Sequence, residues 1–83
     1  MDKVKIQHLI AERMKQRLDR LGMAENELTN DLDLVRSGLL DSLGFVDLIA
    51  DLESVSGKQV DLEKALQRSG ATTVRAIVEL FHS

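Results

Sequence analysis

The chain predicts an all-α fold, a small four-helix bundle of three main helices plus one short helix, and three observations carry that reading. Apolar residues return at spacings of three and four in three separate windows, as on one buried face of a helix. Glycines and cap-forming residues stand at the edges of those windows. No alternating strand pattern runs beyond a few residues. With 83 residues there is mass for a single domain, taken as residues 1–83, and not for a second core.

Residues 3–21 form the first helix. Ile6, Leu9, Ile10, Met14, Leu18 and Leu21 make its buried stripe, Lys3, Lys5, Arg13, Lys15 and Arg20 fall mostly on the other side, and Gly22 supplies a stop. A basic amphipathic helix suits an anionic membrane surface, but Glu12 and Asp19 interrupt the positive field and favour a solvated bundle face. Residues 23–41, MAENELTNDLDLVRSGLLD, have no sustained period and predict a long loop pinned by Leu28, Leu32, Leu34, Val35, Leu39 and Leu40. A loop this long is uncommon in a compact domain and often functional. From Leu43 to about Ser56 the helical pattern returns, with Phe45, Leu48, Ile49, Leu52 and Val55 inward and Gly57 as its end. Asp61 caps a segment of no more than two turns, the least stable element. Thr72 or Thr73 then caps a last helix in which Val74, Ile77, Val78 and Phe81 face the core.

Only Phe45 and Phe81 are aromatic, so aliphatic side chains fill most of the core, and stability on the order of 5 kcal/mol is typical of such a domain. The absence of cysteine excludes a disulfide framework, a thiol nucleophile and a cysteine metal site. Any thiol must be added. The N-terminal MDKVKIQHLI alternates charged with apolar residues and no apolar run exceeds four, which predicts a cytoplasmic protein with no membrane insertion. The net charge of −3 is unevenly spread: residues 1–22 hold six Lys/Arg against three Asp/Glu, and residues 23–67 hold three against ten. The acidic middle argues against nucleic acid and for a partner with a basic docking surface.

The stretch GLLDSLGFVDL, residues 38–48, carries the functional question. With Asp41 as N-cap, its carboxylate accepts an orphan backbone N–H, worth about 1 kcal/mol, and Ser42 becomes the first helical residue with a free hydroxyl. The plainer alternative makes Ser42 itself the cap. Two observations argue against nucleophilic catalysis and make a minimal hydrolase using Ser42 the least favoured reading: LLDSLG lacks the first glycine of a nucleophile elbow, and His8 and His82 have no context of a triad. Asp31 and Asp33 begin like a calcium loop, but Val35 and Arg36 occupy the places of a ligand and the turn glycine, so these carboxylates read as a solvated acidic face. Leu43, Val46 and Ala50 repeat along the outward side of the second helix, flanked by Asp47, Asp51 and Glu53. An apolar strip rimmed by acids suits transient protein docking. Gly44 costs about 1 kcal/mol inside a helix; it either leaves room beside Ser42 for something bulky or answers a packing need.

With Asp41-Ser42-Leu43 at the start of the second helix, after a long loop ending in GLLDSL, the chain resembles the acyl carrier proteins and the related peptidyl and aminoacyl carriers over nearly its whole length. The resemblance implies that a phosphopantetheinyl transferase moves 4′-phosphopantetheine from coenzyme A onto Ser42, releasing adenosine bisphosphate. Asp41 would assist recognition by the transferase and its magnesium, and Leu43, Val46, Asp47, Ala50 and Asp51 match the partner-facing positions. The arm would supply the missing thiol and carry acyl or aminoacyl groups as thioesters. The chain would then be a non-catalytic, monomeric carrier without a metal of its own, serving an acyl- or aminoacyl-loading ligase and a downstream acyltransferase or synthase.

Several residues depart from the fatty-acid members. The charge is less acidic, the first helix is basic, Gly44 follows the motif leucine, and no proline stands at Val60-Asp61. The GLLDS approach is similar to stand-alone carriers of specialised pathways, loaded by adenylating ligases. A fatty-acyl or polyketide carrier is the alternative within the family. A small helical interaction module without a prosthetic group is the alternative outside it.

Overall fold

The computed structural model describes residues 2–82. Among them the chain forms four α-helices, α1 (Lys3–Leu21), α2 (Ser42–Ser56), α3 (Leu62–Ala65) and α4 (Val74–Phe81), with one 3-10 turn at Glu25–Glu27. This is the predicted small helical bundle of three main helices and one short one. Among the described residues the only β pairing is an isolated bridge between Asp33 and Thr73.

Each helix begins on a side-chain oxygen. The Asp2 carboxylate accepts from Lys5 N at 2.8 Å, Asp41 from Gly44 N at 2.7 Å, Asp61 from Lys64 N at 3.2 Å and the Thr73 hydroxyl from Ala76 N at 3.2 Å. These bonds satisfy N–H groups that the first helical turn leaves without partners. Thr73, of the two threonines, is thus the cap of α4. Gly22 and Gly57 end α1 and α2 with φ of 69° and 72°, a left-handed geometry that glycine adopts without strain.

Ile6, Ile10, Met14 and Leu18 of α1 meet Phe45, Leu48, Ile49 and Leu52 of α2 and Val74, Ile77, Val78 and Phe81 of α4 in one buried cluster. The helix α1 packs on α4 and on α2, and α2 also packs on α4. Two residues assigned to buried stripes are not in the core: Leu21 is 50% exposed and Val55 48%. Both fall on the last turn before a terminating glycine. Periodicity marks the angle of a residue around the helix and carries no information on where the neighbouring helices stop. Leu9 is half-buried at the edge of the cluster.

The long loop is pinned as predicted by Leu34, Leu39 and Leu40, which are buried, and by Leu28, Leu32 and Val35, which are half-buried. It is also stitched by backbone to the start of α4. Leu34 N donates to Thr72 O at 2.9 Å, Val74 N to Leu32 O at 3.0 Å and Arg75 N to Asn30 O at 2.9 Å. Asp33 closes the seam, so the solvated-face reading fails for it. Its half-buried carboxylate accepts from Val35 N at 3.0 Å, Arg36 N at 2.9 Å and the Thr72 hydroxyl at 2.6 Å. Burial pushes the Asp33 carboxyl up. The N–H of Arg36, the Thr72 hydroxyl, the N–H of Val35 and the Arg36 charge outweigh it and hold the group below its ordinary 3.8. Asp31 stays exposed and pairs with Arg75 at 3.0 Å. No helix among the described residues is long and apolar enough to cross a membrane.

Candidate functional site

The site forms where the loop delivers Leu39 and Leu40 into the core and the chain turns into α2. Burial of both leucines fixes the approach, and Asp41 adopts an extended conformation, φ −87° and ψ −177°, as the helix cap. Its Oδ1 takes the N–H of Gly44, and its carbonyl takes that of Phe45 at 2.9 Å. Ser42 is therefore the first residue of the helix, and the reading in which Ser42 is the cap is excluded. The residue is exposed, and its hydroxyl takes part in no hydrogen bond among the described residues. A free hydroxyl at the positive end of a helix is well placed to bear an anionic ester.

Beyond Ser42 the outward side of α2 has the predicted character. Leu43 is 76% exposed and Val46 46%, Ala50 is exposed in line with them, and Asp47 and Asp51 are exposed beside them. Glu53 does not belong to this rim. It turns inward as a half-buried acceptor for Val60 N at 2.8 Å and ties the end of α2 to the approach to α3. Gly44 answers a packing need on the inner side of the first turn. It is buried, and a Cβ there would lie 3.1 Å from Leu40 Cδ2, 3.2 Å from Asp41 Oδ1 and 3.6 Å from Arg17 Nη2. Of the two readings of this glycine, the structure selects packing.

Arg13, Arg17 and Arg20 recur at spacings of four and three and so share one edge of α1. That edge faces α2. Arg13 Nε lies 3.8 Å from Asp51 Oδ2, and the Arg17 guanidinium reaches the first turn of α2 at Gly44. Arg17 and Arg20 line a notch of about 290 Å³ with Leu21, Gly38, Leu39 and Asp41. Sequence reasoning grouped Arg13 and Arg20 with the solvated face and passed over Arg17. The common spacing of the three was the available signal. His8 and His82 are both exposed, and neither is hydrogen-bonded to Ser42.

Comparison with known proteins addresses what the hydroxyl is for. The family model described as "Phosphopantetheine attachment site" matches residues 8–81. The D-alanyl carrier protein of Streptococcus uberis is 37% identical over 70 residues, which cover 84% of this chain and 87% of that one. The D-alanyl carrier protein of Streptococcus pyogenes serotype M1 is 39% identical over 70 residues with the same coverage. No solved structure matches the chain significantly.

Proposed function

Because the chain belongs to the phosphopantetheine-attachment family of carrier proteins, we propose that Ser42 bears the 4′-phosphopantetheine and that the arm carries a small aminoacyl group. Membership brings a covalently attached 4′-phosphopantetheine and sets aside the interaction module without a prosthetic group. Once attached, the arm supplies the thiol on which cargo is held as a thioester.

The observation that carries the assignment is the Ser42 hydroxyl, exposed and unbonded at the first position of α2. Asp41 relieves Ser42 of capping through Oδ1, and its own Oδ2 is available to a transferase and its magnesium. Attachment forms one P–O bond at Ser42 Oγ and breaks one P–O bond in the pyrophosphate of coenzyme A, so that adenosine bisphosphate leaves with that oxygen and the hydroxyl proton is released. Leu43, Val46 and Ala50, bordered by Asp47 and Asp51, form the face that the transferase, the loading ligase and a downstream acyltransferase or synthase would share. Such a chain turns over no substrate itself; it is handed between enzymes in a specialised cytoplasmic pathway.

Two features support aminoacyl cargo over a long acyl chain. The relatives above are named D-alanyl carriers. In addition, the inner face of α2 is filled by the chain itself, with Phe45, Leu48, Ile49 and Leu52 each only 2–3% exposed. A long acyl group gains by leaving water and needs an apolar cavity. A small charged aminoacyl group does not.

The test is intact-mass analysis after incubation with coenzyme A, magnesium and a broad-specificity transferase. One phosphopantetheinyl adduct is expected, absent in Ser42→Ala. An adduct that persists in Ser42→Ala, or none where a control carrier is labelled, overturns the assignment. Offering the holo protein D-alanine or a fatty acid, each with ATP and a matching ligase, then separates the two cargo classes.

A further inference from the structure

We propose that Arg17, with Arg20 one turn further along, supplies the counter-charge that holds the phosphodiester of the arm. The inference rests on attachment at Ser42 and goes beyond it, because it assigns a role to α1.

Attachment puts a second negative charge beside the Asp41 carboxylate. The α2 N-terminus favours that anion, and Asp41 opposes it. The edge of α1 facing α2 answers this imbalance. Arg13 is already paired with Asp51, but Arg17 and Arg20 have no carboxylate within 4.0 Å among the described residues. They nevertheless line the same notch as Asp41, the residue before Ser42, and Arg17 Nη2 stands 3.6 Å from the Cβ position of Gly44 in the same first turn, on the side away from the Ser42 side chain, so the phosphate on Oγ must fold back over the helix end to meet it. A guanidinium is suited to this task because its planar fork can grip two phosphate oxygens at once. Two unpaired guanidiniums at the end of α2 that bears the free hydroxyl are a charge arrangement that the bare protein does not use. The arm completes it.

The experiment compares apo and holo forms of each variant, so that the apo protein serves as reference for any change in folding. Intact mass first establishes the adduct and its loss in Ser42→Ala. The holo-minus-apo difference in Tm is then measured at low salt for the native protein, for Arg17→Gln/Arg20→Gln, for Arg17→Lys/Arg20→Lys and for Arg13→Gln, together with the 31P resonance of the phosphodiester. The double Gln variant is expected to lose about 2–4 °C of the native holo-minus-apo difference, and its 31P signal to move towards that of free phosphopantetheine. The Lys variant should recover part of both, and Arg13→Gln should alter neither. The gap should close in about 0.5 M salt, where the screening length falls to a few Å. If an adduct forms but the Tm difference and the 31P position match the native protein in the double Gln variant, this proposal falls and attachment at Ser42 stands. If no adduct forms, both fall.

Discussion

Two side-chain atoms crowd the place where Gly44 would carry a Cβ, Leu40 Cδ2 at 3.1 Å and Asp41 Oδ1 at 3.2 Å. Neither can give way freely, because Leu40 is buried in the core and Asp41 Oδ1 holds the N–H of Gly44 at 2.7 Å. In a helix, Gly→Ala by itself gains about 1 kcal/mol. Overpacking costs typically 1–3 kcal/mol and a weakened cap about 1 kcal/mol more. Gly44→Ala is therefore expected to destabilise the apo protein by about 1–3 kcal/mol net in urea unfolding, the opposite of what an open helix position would give. A rise in stability would mean that Leu40 and Asp41 yield without cost. The sequence displays the glycine and what it costs a helix, and the Asp41 cap is local, but Leu40 Cδ2 comes into place only when the loop has folded into the core. Ser42 is the reverse case, since its exposure follows from Asp41 taking the cap, a local pattern written in adjacent residues.

At the scale of elements, the chain marks its own starts and stops. Asp41, Asp61, Thr73 and the glycines at positions 22 and 57 are local signals, and each bounds the helix it was expected to bound. The seam between the loop and α4 was not legible, because Asp33 and Thr72 are 39 residues apart and only the fold brings them together. The local half of that seam did have a signature: an Asp whose carboxylate takes the N–H groups two and three residues on is a recurrent turn. A carboxylate with three donors contributes about 2–3 kcal/mol if it is removed and the donors are left partly buried, and Asp33→Ala should cost that much. The pH dependence follows from the lowered pKa. The unfolded chain binds this proton more readily than the folded one, so the contribution is present above the ordinary 3.8 and is lost as pH falls below it through the lower folded value. Urea unfolding from about pH 6 down to about pH 2.5 should show a fall in stability that is shallower in Asp33→Ala. Equal slopes would place the acid sensitivity at other carboxylates.

For the molecule as a whole, the question is whether charge or burial holds the helices together. Lys3 with Glu79, Arg13 with Asp51 and Arg75 with Asp31 link elements of the fold, but all three pairs are exposed, and such pairs contribute between nothing and about 1 kcal/mol. The basic edge of α1 and the acidic side of α2 are thus not what holds the helices together. Stability must come from the apolar cluster shared by α1, α2 and α4, in which Ile77 is fully buried. At roughly 0.05–0.15 kcal/mol per residue an 83-residue chain holds about 4–12 kcal/mol, and removing a buried Ile to Ala costs about 2–5 kcal/mol. Ile77→Ala should therefore lower the urea midpoint by about a sixth at the least, and by about 40% at mid-range values, with little change in slope. Leu21→Ala is the matched control, also an aliphatic truncation but at a position 50% exposed, and it should stay within about 0.5 kcal/mol of the native protein. Similar losses from the two substitutions would mean that helix propensity, rather than burial against neighbouring helices, sets the stability of the bundle. A large loss from Ile77→Ala alone would place the strength of the carrier in its interior. The surface around Ser42 could then change charge and partners without unfolding the scaffold that presents it.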